Sequence, residues 1–427
     1  MGLPLRVMQV AHGWPPERIG GVELYTRALH SGLMAVGVHS SVFHAGDAMA
    51  RQPDRLQVQG PATSPRSFRD TVIRPSVEAQ FRQWLAVRRP AVVHFHHLTH
   101  LSLGLPRIAQ ECGAVTLMTL HDYWLPCVRG QLVDRNLLRC QGPSPARCAR
   151  CVAGQLALEP ASAAAGRLLT GLPASWRAQL REGLGRSRTG LDHVIRERLE
   201  LVRAAVARIH RFASPSRDLA DRMRALDLGI AHIDPVDLPL VHPVAPSPPP
   251  GTGPVRFLFL GSLIPTKGPH LLVEAFSRLP AGAATLHLAG PSPTTDLAPD
   301  YAERLHARVR ALPGVSVEPA FPPGRVQARL DQADVLVLPS LWEENSPLVV
   351  REATAAGLRV LASRRGGVAE LAPGAHFFEP DEPNSLLAAL AAEARRGRGR
   401  APAATWEGPE RHAARVHSWY HRCLGAA

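Results

Sequence analysis

Two glutamates, Glu344 and Glu352, are separated by seven residues and follow an apolar run that ends in Pro-Ser. The run, Val335 to Leu338, is short, rich in valine and bounded by turn residues, which predicts a buried parallel strand. A helix should follow, because Pro347 suits a first helical position and Gly357 suits the C-terminal cap. We therefore expect a strand, an acidic loop and a short helix in this order.

The predicted helix indicates which groups the acidic loop could bind. Its N-terminus directs free amide donors and a positive dipole end at the loop, where a phosphate group would bind. Glu352 lies about one and a half turns into the helix, at roughly 1.5 Å per residue, and could accept hydrogen bonds from hydroxyl groups beside that phosphate. A sugar nucleotide carries both groups. From the two glutamates alone, a solvated acidic pair near a helix start remains the alternative.

The stretch from Ala333 to Leu371 resembles the signature of the family 4 retaining glycosyltransferases, with its Pro-Ser strand end, its glutamate pair and a second strand leading into Gly366-Gly367. The usual Phe-Gly after the first glutamate is replaced by Asn345-Ser346, which leaves the backbone donors of Leu348 and Val349 available. The resemblance implies an α/β fold with two Rossmann-like domains facing across a cleft, the GT-B type.

The resemblance also implies roles for these residues. A nucleotide-diphosphate sugar donor would bind in the second domain, where Glu352 holds the ribose, Glu344 holds sugar hydroxyls, and Lys267 and helix-start amides hold the diphosphate. No metal is then required for catalysis. The implied donor-binding residues are Gly261, Ser262, Lys267, Asn345, Ser346, Leu348, Val349 and Glu352. The implied reaction transfers the sugar, with retention, to a saccharide or lipid-linked acceptor, in cell-surface polysaccharide biosynthesis.

Lys267 is the single lysine among 49 cationic side chains. It follows the predicted strand Val255 to Leu260 and Gly261-Ser262, and a compact ammonium can follow a phosphate as charge moves to a leaving group. An ordinary surface cation is the alternative. The family usually places an arginine where Ser262 stands, so half of the diphosphate clamp is absent or comes from Arg364 or Arg365.

The chain opens with a predicted strand, Leu5 to Val10, a glycine-rich loop and a helix from Gly21 to Val36. Gly20-Gly21 would let the backbone approach a ligand at the helix start, and Glu23 lies in the first turn. A tight turn without a ligand is the alternative. In the family, the matching glycines and glutamate lie near the donor phosphates and the acceptor.

His121 follows the predicted strand Val115 to Leu120, which alternates with a strand at Ala91 to Phe95 and a helix at Leu101 to Cys112. This alternation predicts a doubly wound sheet, in which ligands bind beyond the carboxyl ends of the strands. A single histidine is more commonly structural. The resemblance assigns His121 a catalytic role with Glu344 and Lys267, orienting the transferred sugar and stabilising developing charge.

Four of the six cysteines, Cys127, Cys140, Cys148 and Cys151, fall within 25 residues. In a cytosolic chain this spacing suits a structural zinc ion held by four thiolates and closed to catalytic water. Such an ion would pin a loop beside His121. Buried free thiols or a redox site remain alternatives.

The length of 427 residues predicts two domains. We expect an N-terminal Rossmann-like acceptor domain at 1–235 with a Cys-rich insertion near 127–151, a Pro-rich linker at 236–254, and a C-terminal Rossmann-like donor domain at 255–408. A last helix at 409–427 would pack back on the first domain. The expected further strands are 285–289, 315–318 and 359–362, with helices at 270–279, 299–312, 324–332 and 381–392.

The formal net charge is +13, but the excess consists of arginine spread through the chain, so nucleic acid is not an expected partner. No apolar run reaches the roughly 18 residues of a membrane span and Met1 to Val10 is too short for a signal peptide, so a cytoplasmic protein is expected. Basic helical patterns at Trp176 to Leu184 and Leu191 to Ile209 suggest peripheral contact with anionic membrane. Solvated helices covering the sheet are the alternative.

Two other functions are compatible with parts of this sequence. A sugar-nucleotide 2-epimerase shares the fold and the donor, but the spacing of the glutamate pair argues against it. A non-catalytic, zinc-containing binding protein with a degenerate cleft is disfavoured because Lys267, Glu344 and Glu352 are all present.

Overall fold

The structure is a computed structural model that describes residues 4–60, 68–152, 191–295, 298–382 and 384–426. Its strands form two sheets, and helices connect the strands. The first sheet holds β1 Arg6–Ala11, β2 His39–Gly46, β3 Ala50–Arg51, β4 Arg55–Gln59, β5 Val92–Phe95, β6 Val115–Thr119, β7 Arg211–Ser214 and β8 Ile233–Pro235. The second holds β9 Val255–Leu260, β10 Ala284–Ala289, β11 Val315–Glu318, β12 Val335–Leu338, β13 Arg359–Ser363 and β14 His376–Phe378. The predicted α/β fold with two Rossmann-like sheets is confirmed.

Both sheets reverse their strand order near the middle. The first has the order β3-β4-β2-β1-β5-β6-β7-β8, with a single antiparallel pair at β3 and β4, and the second has β11-β10-β9-β12-β13-β14. The reversals fall between β1 and β5 and between β9 and β12. Ligands of doubly wound sheets bind beyond the carboxyl ends of strands at such reversals. The loops after these strands are therefore the expected site positions.

The strands at the centre of each sheet read as continuous apolar runs because helices cover both faces. All of β12 is buried, and it pairs in parallel with β9 and β13. The helices of the first half are α1 Gly21–Ala35, α2 Pro75–Arg88, α3 Leu105–Glu111, α4 Pro145–Cys151, α5 Leu191–Val206 and α6 Arg217–Ala225. Those of the second are α7 Pro269–Phe276, α8 Tyr301–Arg310, α9 Val326–Asp331, α10 Leu348–Ala355, α11 Val368–Leu371, α12 Ser385–Arg396 and α13 Pro409–Ala426.

Helix α10 differs from the expectation at its first residue. Pro347 has φ −65° and ψ 122°, so it is the N-cap and Leu348 is the first helical residue. The extended ψ turns the Pro347 carbonyl into position to accept from the Val350 amide, at 3.1 Å. Gly357, with φ 77°, follows the C-cap Ala356 as a left-handed terminator.

Helix α13 packs against α1 and the first sheet. Val416, Trp419 and Tyr420 lie in one buried cluster with residues of β1 and α1, and the Trp419 indole donates to Asp234 at 2.7 Å. Residues 236–254 contain neither helix nor strand. The domain limits themselves stay predictions.

Helix α5 uses its apolar face inside the protein. Ile195 and Leu199 pack on α4, and Val202 joins the main core of the first half. The other predicted basic helix, Trp176 to Leu184, lies outside the described residues, so membrane contact stays a prediction. Within the described ranges, no helix is long and apolar enough to span a membrane.

Candidate functional site

Lys267 and Glu344 meet at the strand reversal of the second sheet. The Lys267 ammonium lies 2.5 Å from Oε1 of Glu344, which also accepts from the Ser340 hydroxyl at 2.6 Å and the Trp342 indole at 2.8 Å. The ammonium is 5.0 Å from the centre of the Trp342 ring. Glu344 is only 3% exposed as a side chain, so these donors compensate a nearly buried charge.

Backbone contacts bring the two loops together. The Leu341 amide donates to the Thr266 carbonyl at 2.8 Å. Gly268, with φ 71°, turns the chain so closely past Pro339 that an added Cβ would lie 2.0 Å from the Pro339 oxygen. Position 366 also requires glycine, since a Cβ on Gly366 would lie 2.1 Å from the backbone carbonyl oxygen of Glu344. Glycines here permit approaches that fix Lys267 against Glu344.

Helix α10 adds an unpaired acid and free amides. Glu352 is 6% exposed, and its carboxylate has no hydrogen bond or ion pair to a described residue. Burial raises its pKa to about 7. Within the described ranges, no residue accepts from the amides of Leu348 and Val349, as expected for the first turn of a helix.

Two predicted donor residues lie in the loop after β9. Gly261 adopts φ 147° and donates its amide to Ala289 at 3.1 Å. The Ser262 carbonyl accepts from Ile264 at 2.9 Å, and the Ser262 side chain is half-buried. Arg364 and Arg365 are the candidates to replace the diphosphate-binding arginine that is absent at Ser262. Arg364 pairs with Glu379 and Arg365 pairs with Asp381, so each already has an acidic partner.

Asn345 and Ser346 use their side chains inside the protein. The Asn345 amide donates to the carbonyls of Leu120 and His121, both at 3.3 Å, and its oxygen accepts from Ser216 at 2.5 Å. The Ser346 hydroxyl accepts from the buried Arg351 at 2.9 Å. Asn345 thus ties the loop of Glu344 to the backbone of His121. Donor binding by these two side chains stays a prediction.

Sequence reasoning missed Glu343, which connects the two halves. Its carboxylate is 4% exposed and lies 2.6 Å from Nε of Arg139 and 3.3 Å from Arg222. It also accepts from the Gly366 amide at 2.8 Å. The sequence signal that could have identified Glu343 is its position directly before Glu344. We call Lys267, Glu343, Glu344 and Glu352 the glutamate edge.

The predicted glycine loop lies at the start of α1. Gly20 is the N-cap, with no side chain to cap the helix, and Glu23 is 5% exposed and 3.1 Å from Nε2 of His12. Burial raises the pKa of Glu23. A Cβ placed on Gly21 would lie 3.9 Å from Leu348, so the starts of α1 and α10 approach each other.

His121 belongs to a group of histidines that follow β1, β5 and β6. We call His12, His96, His97, His121 and Asp122 the histidine edge. Nε2 of His121 lies 3.4 Å from Nδ1 of His96, and His97 lies 3.3 Å from Asp122. Burial lowers the pKa of His121 to about 3, so the ring is neutral at pH 7. The strand-end argument used for His121 applies equally to His96 and His97, which sequence reasoning missed.

The four clustered cysteines are free and half-buried. Cys148 and Cys151 lie on α4, one turn apart, and burial raises the pKa of both thiols. In the ranges that the structure describes, no three His, Cys, Asp or Glu side chains are arranged to hold a metal ion. Zinc binding would require the sulfur atoms to draw together, and the site stays a prediction.

The two edges provide complementary chemistry. The glutamate edge offers an ammonium, helix-start amides and carboxylates, which suit a diphosphate and vicinal hydroxyls. The histidine edge offers the neutral rings of His12, His96 and His121, which suit hydroxyl groups. A cavity lined by Arg6, Met34, Ser40 and Arg88 lies instead near the amino ends of β1 and β2, opposite to this site.

Comparisons with known proteins cover both halves. Residues 254–393 match the family model described as Glycosyl transferases group 1, and residues 19–153 match Glycosyltransferase Family 4. A stretch of 114 residues is 35% identical to the D-inositol 3-phosphate glycosyltransferase of Mycobacteroides abscessus. It covers 26% of this chain and 24% of that protein, so the match spans about a quarter of the curated relative.

The fold is similar to that of sucrose-phosphate synthase from Thermosynechococcus elongatus, with a TM-score of 0.66, 18% identity and coverage of 99% of this chain and 100% of that one. For Anabaena HepE the TM-score is 0.57 and the identity 12%, with 98% of this chain and 100% of the other covered. At these identities the likeness shows the fold alone, and it confirms the GT-B type.

Proposed function

The chain belongs to the family 4, or group 1, glycosyltransferases, and on that premise we propose that it transfers a sugar from a nucleotide-diphosphate sugar to a saccharide or lipid-linked acceptor. The observation that carries the proposal is the convergence of Lys267, Ser340 and Trp342 on one oxygen of Glu344. This arrangement stands at the strand reversal of the second sheet, beside the free amides of α10. The HepE structure was solved in complex with UDP, which supports a nucleotide donor for this fold.

In the proposed reaction the bond between the sugar C1 and the diphosphate oxygen breaks, and a bond from C1 to an acceptor hydroxyl forms. The nucleoside diphosphate leaves with the electron pair, and the acceptor proton passes to its phosphate oxygen or to solvent. Lys267 would turn from Glu344 toward the diphosphate, with the amides of Leu348 and Val349 as further donors. Fixed donors aimed at developing charge are a main source of rate enhancement.

Freed from Lys267, Glu344 would accept from hydroxyls of the transferred sugar. Glu352 is buried and has no hydrogen-bond partner among the residues that the structure describes, which supports its assignment to the ribose hydroxyls, because they would supply the missing donors. His121 would contact the sugar from the histidine edge. Retention of configuration and a role in cell-surface polysaccharide synthesis rest on the family alone.

The test measures release of UDP, GDP or ADP from a panel of sugar nucleotides, with lipid-linked and oligosaccharide acceptors. Wild type should release one nucleoside diphosphate, and Glu344→Gln should not. Proton NMR of the product would show whether the anomeric configuration is retained. Conversion of the donor to its 2-epimer without an acceptor would instead identify an epimerase, and binding without turnover of any donor would identify a binding protein.

A further inference from the structure

A cavity opens at the amino edge of the first sheet, where β1 and β2 begin. Its volume is about 550 Å³, and sites that hold small organic molecules typically enclose roughly 300 to 1,000 Å³. The starts of the two strands and the last turns of α1 and α2 form its walls. Among the described residues that line it there are three basic side chains, Arg6, His39 and Arg88, and neither Asp nor Glu.

The sheet places two of these basic side chains next to each other. Arg6 and His39 are the first residues of β1 and β2, and the parallel register pairs them directly. Backbone hydrogen bonds fix this register, since the His39 amide donates to the Leu5 carbonyl at 2.9 Å and the Ala91 amide donates to the Arg6 carbonyl at 2.9 Å. Both side chains are exposed. The edge of the sheet therefore presents a guanidinium and an imidazole to the same cavity.

Arg88 supplies a second guanidinium from the last turn of α2. Its guanidinium carbon lies 4.2 Å from the centre of the buried Trp84 ring, which holds the group in place. Nε of Arg88 is buried and has no hydrogen-bond partner among the described residues. Neither Arg6 nor Arg88 forms an ion pair with a described acid, whereas Arg82 in the same helix pairs with Glu111 at 3.0 Å. A buried donor without a partner indicates a missing acceptor.

The dipoles of α1 and α2 offer another reason for cations at this edge, because both helices end here and helix C-termini favour positive charge. At α1, however, two amides that follow the helix already satisfy its last carbonyls. The dipole of α2 accounts for Arg88 but not for Arg6 and His39, which begin strands. The cavity therefore keeps an excess of positive charge.

Apolar side chains stand beside these cations. Met34 and Val87 line the cavity and are 51% and 60% exposed, which makes them two of the five large hydrophobic residues that are exposed in the described ranges. Gly37 leaves the cavity open between them, since a Cβ built on it would have no atom within 4 Å. Exposed apolar groups beside unpaired cations suit a ligand that is anionic at one end and apolar at the other.

We propose that this cavity binds a phosphate ester with an apolar body, in which Arg6 and Arg88 hold the phosphate and Met34 and Val87 contact the apolar part. Guanidinium groups suit phosphate because two N–H donors of one group reach two oxygens. The headgroup of an anionic phospholipid and a soluble phosphate monoester share this chemistry.

The site is separate from the glycosyl-transfer cleft and does not depend on the proposed function. The six residues of β1 lie between the cavity and the histidine edge, a distance of about 20 Å at roughly 3.3 Å per residue. A nucleoside diphosphate in the cleft should therefore leave binding at the cavity unchanged.

The test is calorimetric titration of the full chain with inorganic phosphate and with methyl, butyl and hexyl phosphate. Affinity should rise along this series by up to about fourfold per methylene, because each methylene leaves water. Arg6→Gln and Arg88→Gln should each weaken hexyl phosphate binding by about 10-fold, as expected for a charge-assisted hydrogen bond. Arg82→Gln, which removes an exposed arginine of the same helix, is the matched control and should bind like wild type.

Val87→Ser tests the apolar part, because it should weaken hexyl phosphate and leave methyl phosphate unchanged. Flotation with phosphatidylcholine vesicles that contain phosphatidylglycerol distinguishes the two sources. Flotation that needs the anionic lipid and is lost in Arg6→Gln assigns a lipid headgroup, and binding of hexyl phosphate without flotation assigns a soluble ester.

Three results would overturn the inference. These are no saturable binding of any alkyl phosphate, equal affinity for inorganic and hexyl phosphate, and equal weakening in Arg6→Gln and Arg82→Gln. Displacement of hexyl phosphate by saturating nucleoside diphosphate would also overturn it, because the phosphate would then lie in the cleft. If hexyl phosphate binds as expected and no sugar nucleotide is consumed, the proposed function fails while the inference stands.

Discussion

The histidine edge and the glutamate edge occupy equivalent places, beyond the carboxyl ends of strands at the reversal of each sheet, but their electrostatics differ. At the glutamate edge, charged groups pair directly, as between Lys267 and Glu344 or between Glu343 and Arg139. At the histidine edge, burial keeps the rings of His12, His96 and His121 uncharged by lowering their pKa.

This difference indicates a division of labour. A leaving diphosphate needs mobile positive charge and fixed amides, which only the glutamate edge combines among the described residues. A sugar hydroxyl needs a defined acceptor or donor, and a neutral imidazole whose proton is fixed by its neighbours provides one. Variants at the glutamate edge should therefore change charge-dependent rates and affinities, whereas variants at the histidine edge should change positioning.

Apart from Glu344→Gln, Lys267→Ala should have the largest effect. It removes the cation that we expect to move from Glu344 to the leaving diphosphate, so kcat should fall by about 10²- to 10³-fold, with a smaller change in KM. Lys267→Arg keeps the positive charge but places it on a planar group, so its kcat should lie between those of wild type and Lys267→Ala. Steady-state assays of nucleoside diphosphate release measure this. Arg304→Ala, at an exposed ion pair, is the control. A loss below twofold in Lys267→Ala would remove the glutamate edge from charge stabilisation.

Glu352 provides a test by pH. Its pKa is about 7 in the free protein because of burial, and ribose hydroxyls should bind its ionised form and lower that pKa. Nucleoside diphosphate binding should therefore release a proton, and it should weaken on the order of tenfold per pH unit below about pH 7. Calorimetry in buffers of different ionisation enthalpy measures the proton release. Glu352→Gln should bind more weakly and lose this pH dependence, whereas Glu382→Gln, an exposed acid, should keep it.

The same carboxyl group links pH to stability. A folded pKa raised from 4.5 to about 7 means that protonation of Glu352 favours the folded state. Its contribution is complete below about pH 4.5 and is lost as the pH rises through about 7. The difference amounts to up to about 3 kcal/mol. Urea unfolding of wild type and Glu352→Gln between pH 5 and 8 should show this slope in wild type alone.

The cysteine segment contacts the glutamate edge, because Arg139, which lies between Cys127 and Cys140, pairs with Glu343. If the four thiolates hold zinc, purified wild type should contain about one zinc per chain, and Cys148→Ser and Cys151→Ser should lose it. Cys112→Ser, at an exposed cysteine outside the cluster, should retain it. Activity should fall only a few-fold, because the ion does not touch substrate. Reduced wild type that stays free of zinc while all four clustered thiols react with a thiol reagent, in addition to the exposed Cys112, would establish free thiols. Loss of the four clustered thiols without metal would establish a redox site.

The fold could be predicted where strands are continuous apolar runs between turn residues. The limits of β9, β11 and β12 agree with the sequence analysis. In contrast, the sequence does not predict β2, because its buried residues include Ser40, Ser41 and His44, whose polar groups are satisfied only in the folded protein.

The site shows the same limit. Lys267 and Glu344 could be selected by residue type and spacing, but Gln9 bonds Tyr420 across 411 positions. Such a contact arises from the return of α13 to the first sheet and has no local pattern. Glu343 was hidden for a related reason, because its partners Arg139 and Arg222 come from the other half of the chain.

Arg139→Ala should have the smallest effect and tests whether the two halves of the chain are held together by charge. Arg139 is 46% exposed, so solvent screens its pairing, and the loss of stability should be at most about 1 kcal/mol. Arg222 and the Gly366 amide would still compensate Glu343. Arg139→Lys should retain most of the pairing. If charge fixes the position of the two halves, kcat in Arg139→Ala should fall by about 2- to 3-fold and recover in Arg139→Lys. The carboxylate of Glu370 accepts from the first two amides of α6 at 2.8 and 2.9 Å, and Asn345 also joins the two halves. If the rate of Arg139→Ala equals that of wild type at low salt, the contacts of Asn345 and Glu370 suffice to join the halves.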